Sequence, residues 1–182
     1  MCSASGGHPS VYAAHFAAGL AIKSRIPKAP TWALLVGAFL PDFIWVVLAN
    51  RGIEPTETGL FFDDWSHSLL MIGVWSSLFA LMFWRSERRV MLAVWFAVFS
   101  HFLLDFPIHP KFLALYPHSS LHLGLALSGT IGAIKYWWVQ VGVLAVLTAI
   151  YAQGARRLRF QTNLIAASCV VLLGLHLLMF PG

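Results

Sequence analysis

The chain is long enough for one compact domain but too apolar for an ordinary soluble one. Of its 182 residues, 59% are hydrophobic and 10% are charged, whereas soluble domains carry about a quarter charged residues. The net charge of +5 comes from basic residues spread over short loops. This pattern is typical of cytoplasmic loops in membrane proteins, so we expect no nucleic-acid partner.

Apolar runs predict the elements in chain order, because a helix needs roughly 20 apolar residues to cross the hydrocarbon core. They predict one all-α, polytopic membrane domain over residues 1–182, with about six transmembrane helices and one short or re-entrant helical segment. We expect the chemistry in residues 10–122 and a structural role for the last two spans. The segments are a short helix at 10–23, spans at 31–49, 67–84, 89–106, 136–153 and 162–180, and the Gly- and Ser-rich segment 119–134.

Basic residues predict the orientation in the membrane, because cytoplasmic loops are enriched in Lys and Arg. Clusters occur at 23–28, 85–89 and 156–159, and all three are cytoplasmic only if segment 119–134 does not cross the membrane fully. The alternative is that this segment crosses as a short span, with Lys135 in the cytoplasm. In the first topology, the aspartates and most histidines gather on the outer side.

Histidines and aspartates in or beside the apolar runs are the candidate functional residues. An ionisable group at membrane depth is costly unless it is paired, hydrated or bound to metal. Three pairs have i, i+4 spacing, which on a helix places both side chains on one face. Imidazole and carboxylate groups without thiolates favour zinc, with manganese or iron as alternatives. The pairs are Asp63/His67, His101/Asp105 and His118/His122.

The expected metal ligands come from four predicted segments of the chain. Asp42 lies within a span, where an aspartate has no capping role. The early helix contains small residues that permit close helix packing, so we expect it to bring His15 opposite Asp42. We expect a divalent ion at a site built from five side chains: His15, Asp42, His67, His101 and Asp105.

Two further residues are candidates for catalysis. We expect Asp64 or His122 to act as general base toward a water activated by the ion. Structural roles are the alternative for some of these residues. Asp63 can simply be the N-cap of a helix, and His101 with Asp105 can form a buried hydrogen-bonded pair.

Five short stretches occur in an order that resembles a known family. They are "AAHFAAG" at 13–19, "FLPDF" at 39–43, "DDWSHSLL" at 63–70, "SHFLLDF" at 100–106 and "LALYPHS" at 113–119. Together they are similar to the bacterial inner-membrane metal-dependent hydrolases of the YdjM-like type. That family shows an early His in a small apolar helix, then LLPDxDH, HRGxTHS and SHxxxDxxTxxG, followed by a Tyr-Pro element.

The resemblance implies a divalent-metal hydrolase, with departures at several motif positions. Ile44 and Trp45 stand where the family has Asp and His. Phe62 replaces the first His of HRGxTHS, and Asp63 and Asp64 replace its Arg-Gly. We expect the missing ligands to be supplied by other polar residues, for which the candidates are Asp64, His109, His118 and His122.

The main functional hypothesis is a membrane-embedded hydrolase acting on a lipid-like ester or phosphoester at the outer leaflet. One alternative is a non-enzymatic subunit of a larger membrane complex. Its histidines would then be axial ligands of haem or pigment, or polar contacts between helices. Another is an ion or proton carrier that uses Asp42 and Asp105. A carrier should have polar groups on both sides of the membrane midplane, and the inner halves of these spans lack them.

Overall fold

The structure is a computed structural model that describes residues 10–54, 62–107, 113–125 and 127–158. Over these residues it is all-helical, and its one β pairing is an isolated antiparallel bridge between Ala114 and His122. The predicted span at 162–180 and His109 lie outside the described residues. The helices are α1 (Ser10–Arg25), α2 (Thr31–Asn50), α3 (Asp64–His67), α4 (Leu69–Leu81), α5 (Arg88–Asp105), α6 (Leu127–Ile131) and α7 (Ala133–Gly154), followed by a 3-10 turn at Ala155–Arg157.

Small residues determine how closely α1 packs against its neighbours. It contacts α2, α5 and α7, and its buried residues include Ala14, Ala17 and Ala18. A Cβ added at Gly19 would lie 3.2 Å from the Leu34 carbonyl oxygen of α2. The prediction that small residues in this helix permit close packing is therefore confirmed.

Side-chain contacts bring the three basic clusters to one end of the helix bundle. Arg25 Nη2 donates a hydrogen bond to Gln153 Oε1 over 3.0 Å, so α1 and α7 end side by side. The exposed ion pair between Lys28 and Glu87 joins the loop after α1 to the start of α5. We call this end of the molecule the basic end.

The directions of α5 and α7 fix the position of the chain between them. α5 begins at the basic end and finishes at the opposite one, whereas α7 finishes at the basic end and begins at the opposite one. The connection from Asp105 to Ala133 therefore starts and finishes at the same end. Segment 119–134 lies in this connection, which does not carry the chain from one end of the bundle to the other; its crossing of a membrane stays a prediction. Within it, α6 is a helix of only five residues.

The predicted span at 67–84 is interrupted near its start. Ser68 has φ −63° and ψ 150°, an extended conformation, and its hydroxyl accepts a hydrogen bond from Met71 N as the N-cap of α4. The first two N–H groups of α4 donate to the carbonyls of Ala114 and Leu115, each over 3.0 Å. The connection between α5 and α7 thus satisfies helix-end donors that would otherwise lack partners.

The expectation that His118 and His122 share a helix face is wrong. A hydrogen bond of 2.9 Å from Ser119 N to the Tyr116 carbonyl closes a tight turn there. Pro117 is the second residue of this turn, and His118 is the third with φ +62°. Proline at the second position and positive φ at the third are the features of a type II turn.

One described helix is long and apolar enough to cross a membrane by length and composition. It is α2, with 20 residues and a hydropathy of 2.0. The apolar stretches of two other helices are shorter: that of α4 has 13 residues, and that of α7 covers residues 138–154. α5 has 18 residues but contains two arginines, a histidine and an aspartate.

Candidate metal centre

The five predicted ligands converge from four helices. His15 lies in α1, Asp42 follows Pro41 inside α2, His67 ends α3, and His101 and Asp105 occupy adjacent turns of α5. The side chains of His15, His101 and Asp105 are at most 3% exposed, whereas that of Asp42 is 30% exposed. We call these five residues the His/Asp cluster.

Imidazole and carboxylate groups alternate along the His/Asp cluster. The cluster contains two groups of three possible metal ligands, and within each group the ligand atoms lie within 4.8 Å of one another. His101 lies at the centre of the cluster and belongs to both groups. The groups are His15/His101/Asp105 and Asp42/His67/His101. The contacts are His15 Nε2–Asp105 Oδ1 at 3.3 Å, Asp105 Oδ2–His101 Nε2 at 3.1 Å, His101 Nε2–Asp42 Oδ1 at 3.6 Å and Asp42 Oδ1–His67 Nε2 at 3.4 Å.

These separations match the spacing of ligands around a small ion. Zinc bonds of about 2.0–2.1 Å place tetrahedral ligand atoms about 3.3–3.4 Å apart. A direct N–H···O hydrogen bond spans about 2.7–3.2 Å, a range that includes the 3.1 Å contact between His101 and Asp105. Three of the four contacts lie between 3.3 and 3.6 Å. The donor set and its spacing therefore fit a divalent cation bound to nitrogen and oxygen.

A backbone contact fixes which nitrogen of His101 faces the two aspartates. His101 Nδ1 lies 2.7 Å from the Ala38 carbonyl oxygen. A carbonyl can only accept, so Nδ1 carries a hydrogen, and Nε2 presents a lone pair when the ring is neutral. Nε2 faces oxygens of Asp42 and Asp105. In the neutral ring its lone pair and theirs repel one another, so the arrangement calls for a positive charge between them, either a proton on Nε2 or a bound cation.

His15 occupies a different place from the one predicted. Its ion-pair contact is with Asp105, and Asp42 belongs with His67 to the other group of possible ligands. The His15 ring stacks on that of His101 with centroids 4.1 Å apart and an interplanar angle of 12°. The expectation that His15 lies directly opposite Asp42 is corrected by this geometry. His15 instead contacts the cluster through Asp105 and His101, both of which lie on α5.

Asp64 and His122, the two predicted bases, belong to neither ligand group. Asp64 Oδ2 accepts a hydrogen bond of 2.8 Å from His118 N, so it holds the tight turn after α5. His122 is exposed, and its Nδ1 lies 3.2 Å from the Ser120 carbonyl oxygen. Asp63 occupies the N-cap position of α3 without a side-chain capping hydrogen bond.

Sequence reasoning missed Glu54, which is fully buried. Its carboxylate accepts hydrogen bonds from Trp65 N at 2.7 Å, from Ser66 N at 3.0 Å and from Ser66 Oγ at 2.8 Å. Ser66 Oγ also lies 2.7 Å from His67 Nδ1, so Glu54 connects to the cluster through one hydroxyl. Glu54 is 12 residues from Ser66, and no local spacing signals the contact.

Comparison of the chain with family models, with curated proteins and with solved structures gives no match. The resemblance to the YdjM-like hydrolases therefore depends on the ordered motifs alone. Three of those motifs supply four residues of the His/Asp cluster: the proline-aspartate motif in α2, the serine-histidine motif around α3, and the histidine and aspartate at the end of α5.

Proposed function

We propose that this protein is a membrane-embedded, metal-dependent hydrolase whose ion is held by the His/Asp cluster. The observation that carries the proposal is the position of His101 Nε2. This nitrogen lies 3.1 Å from Asp105 Oδ2 and 3.6 Å from Asp42 Oδ1, and Nδ1 is occupied by a backbone carbonyl. A divalent cation would supply the positive charge that these groups require and would use each of them in its unprotonated, metal-ligating form.

The site holds one ion rather than two. Both groups of possible ligands include His101, and its single available nitrogen can bind only one cation. The two groups are therefore overlapping halves of one centre. Zinc fits a set of imidazole and carboxylate ligands best, and manganese or iron fits the same atoms.

Asp42 is the residue at which a substrate approaches the cluster. Its side chain is 30% exposed, whereas those of the other four residues are at most 7% exposed. Its second oxygen, Oδ2, is itself buried and has no hydrogen-bond partner among the described residues, so it can accept a proton from a water held inside the site. A bound divalent ion supplies an activated water and polarises the bond to be cleaved. Asp64 and His122 remain candidates for a second base.

An apolar outer surface supports a location in the inner membrane. Only 28% of the apolar window of α2 is buried within the structure, which is unlike the core helix of a soluble protein. Large exposed apolar surfaces mark membrane or protein contacts. Side chains that are more than half exposed come from four helices: Val47, Leu78, Leu81, Phe96, Leu103 and Val146.

The opposite polarity of the two ends supports the proposed orientation. The basic end would be cytoplasmic, and the cluster would open toward the periplasmic side because α5 carries Arg88 at one end and Asp105 at the other. A substrate that enters from lipid is amphiphilic, so we propose a lipid ester or phosphoester.

The packing of the rings favours a small ion over a haem or pigment. His15 and His101 stack with centroids 4.1 Å apart, and their Nε2 atoms point at carboxylates. A macrocycle axially bound at either Nε2 would have to displace these carboxylates. The geometry therefore favours the enzymatic proposal over a pigment-binding subunit.

Hydrolysis assays on purified protein in detergent test the proposal. The protein is stripped with a chelator, reloaded with zinc, and assayed with p-nitrophenyl butyrate and bis(p-nitrophenyl) phosphate. We expect zinc to restore hydrolysis of one of these compounds, and Asp42→Asn to lower the rate about 100-fold or more. Glu87→Gln, which changes an exposed carboxylate at the basic end, should keep the full rate. Equal rates for stripped, reloaded and Asp42→Asn proteins would overturn the hydrolase proposal.

A further inference from the structure

Glu54 is a buried carboxylate outside the His/Asp cluster whose hydrogen bonds are all directed toward α3. It lies in the connection that follows α2 and is 0% exposed. Its three donors are two backbone N–H groups and one hydroxyl, from Trp65 and Ser66. Three donors and no acceptor among these partners is the pattern of an ionised carboxylate, which can only accept.

The single proton of the Ser66 hydroxyl determines the state of His67. Ser66 Oγ lies 2.8 Å from Glu54 Oε2 and 3.0 Å from the Asp63 carbonyl oxygen, both of which can only accept. The proton therefore points to one of these oxygens, and the carboxylate is the shorter and stronger acceptor. The hydroxyl then accepts from His67 Nδ1–H at 2.7 Å. This leaves the Nε2 lone pair of His67 facing Asp42.

We propose that Glu54 is a positioning residue for the metal ligand His67 and acts through Ser66. The inference rests on the proposed function, since it assigns His67 to the ion. Metal-bound histidines commonly donate their second N–H to a carboxylate, hydroxyl or carbonyl, which fixes the tautomer and the ring orientation. His101 has such a partner in the Ala38 carbonyl, and Glu54 with Ser66 supplies the same restraint to His67.

Glu54 also caps α3, and the two roles can be separated. Its Oε1 accepts both backbone N–H groups, of Trp65 and Ser66, whereas its Oε2 accepts the Ser66 hydroxyl. Ser66→Ala keeps both backbone hydrogen bonds and removes the connection to His67. Glu54→Gln can keep them through its amide oxygen, while its amide N–H donates to Ser66. The Ser66 proton would then turn to the Asp63 carbonyl oxygen 3.0 Å away, and the hydroxyl would still accept from His67 Nδ1–H but without the negative charge of Glu54 behind it.

Zinc affinity is the first measurement, made by competition with a chromophoric chelator on purified full-length protein. We expect Ser66→Ala to weaken zinc binding about 10- to 100-fold, the usual effect of removing such a partner. We expect Glu54→Gln to weaken it by a smaller factor, because the Ser66 hydroxyl remains as the partner of His67 Nδ1 and only the charge behind it is lost. Ser76→Ala is the matched control, because Ser76 is also fully buried in this region of the fold and its hydroxyl has no hydrogen-bond partner among the described residues. Its zinc affinity should equal that of the wild type.

The melting temperature of the zinc-free proteins separates positioning from folding. Ser66→Ala and Ser76→Ala should melt within a few degrees of each other without zinc and differ only when zinc is present. Unchanged zinc affinity in both Ser66→Ala and Glu54→Gln would overturn the proposal while leaving the metal site intact.

The tautomer of His67 is a second measurement that needs no metal. Long-range ¹H–¹⁵N NMR of zinc-free protein should show hydrogen on Nδ1 in the wild type and a larger share of the Nε2–H tautomer in Ser66→Ala, which lacks the acceptor of that hydrogen. Hydrogen on Nε2 in the wild type would overturn the inference. A wild type that binds no zinc but shows the Nδ1–H tautomer would instead contradict the proposed function and leave the Glu54–Ser66–His67 connection standing.

Discussion

At the scale of the residue, burial makes the His/Asp cluster unfavourable in free energy unless a counter-charge is present. Two aspartates and three histidines share a region where four of the five side chains are at most 7% exposed. Buried ionised groups are tolerated only when they are paired or coordinate metal. If His101 Nε2 carries no hydrogen in the zinc-free protein, its lone pair faces both aspartates and the cluster holds an unrelieved repulsion.

Asp105→Asn tests this electrostatic account, because it removes one charge at constant shape. The new amide can donate to the lone pair on His101 Nε2, so the zinc-free variant should melt at or above the temperature of the zinc-free wild type. The zinc-loaded variant should melt below the zinc-loaded wild type, since a ligand is lost. Melting curves with zinc and with chelator measure both differences.

A buried ion pair between charged His101 and Asp105 would give the opposite result for that variant. Removing one partner of such a pair costs about 3–5 kcal/mol. Asp105→Asn would then be destabilised strongly whether or not zinc is present. This outcome would show that His101 and Asp105 form a structural ion pair and not part of a metal site.

The ligands were predictable from local sequence, but their partners were not. The i, i+4 spacing of His101 and Asp105 in one helix indicated that these two residues form part of a site. The position of Asp42 inside an apolar run indicated the same for that residue. Glu54 reaches His67 across 13 positions and through a serine, and the Ala38 carbonyl reaches His101 across 63. Contacts between distant parts of the chain do not occur at a regular sequence spacing, so sequence patterns cannot reveal them.

At the scale of the element, the close contact between α1 and α7 depends on Gly154. A Cβ added there would lie 2.6 Å from the Ser24 carbonyl oxygen and 2.7 Å from Ser24 Cβ. Distances below 3.0 Å to the backbone require one helix to shift. The contact lies at the basic end, beside the hydrogen bond between Arg25 and Gln153.

Gly154→Ala should therefore destabilise the protein by about 1–3 kcal/mol, the usual cost of overpacking. Gly142→Ala is the matched control in the same helix, because a Cβ there meets nothing within 4 Å. It should be neutral or stabilising by up to about 1 kcal/mol, since alanine is the better helix former. Denaturant unfolding in detergent measures both. Equal effects of the two substitutions would contradict the packing of α1 against α7.

Helix positions were predictable where a long apolar run has clear ends. The predicted 31–49 and 89–106 correspond closely to α2 and α5, and α7 starts only three residues before the predicted 136. The break at Ser68 was missed because its cause is local capping inside an apolar run. The turn at Pro117 was missed because i, i+4 spacing was given more weight than proline.

At the scale of the whole molecule, the ends of the bundle differ in charge and in chemistry. The basic clusters meet at one end through the pairs Arg25–Gln153 and Lys28–Glu87. The His/Asp cluster lies toward the other end, where α5 finishes and α7 begins. For the proposed membrane protein, the positive-inside rule predicts that the basic end is cytoplasmic.

Cysteine labelling in intact cells tests that orientation. In a chain whose two native cysteines are replaced by serine, Arg156→Cys should resist a membrane-impermeant thiol reagent. Ser120→Cys, at an exposed position between α5 and α7, should react. Labelling of position 156 from outside, with position 120 protected, would reverse the orientation and place the cluster on the cytoplasmic side.

The most direct test of the metal centre is elemental analysis of the purified wild-type protein, followed by melting with and without chelator. The account predicts about one zinc, manganese or iron per chain, because both ligand groups depend on the single Nε2 of His101. It also predicts that chelator lowers both the metal content and the melting temperature, and that His101→Ala lacks the metal from the start. The account is contradicted if wild-type protein contains no stoichiometric metal and its melting temperature does not change with chelator. That result would exclude the metal site and, with it, the proposed hydrolase activity.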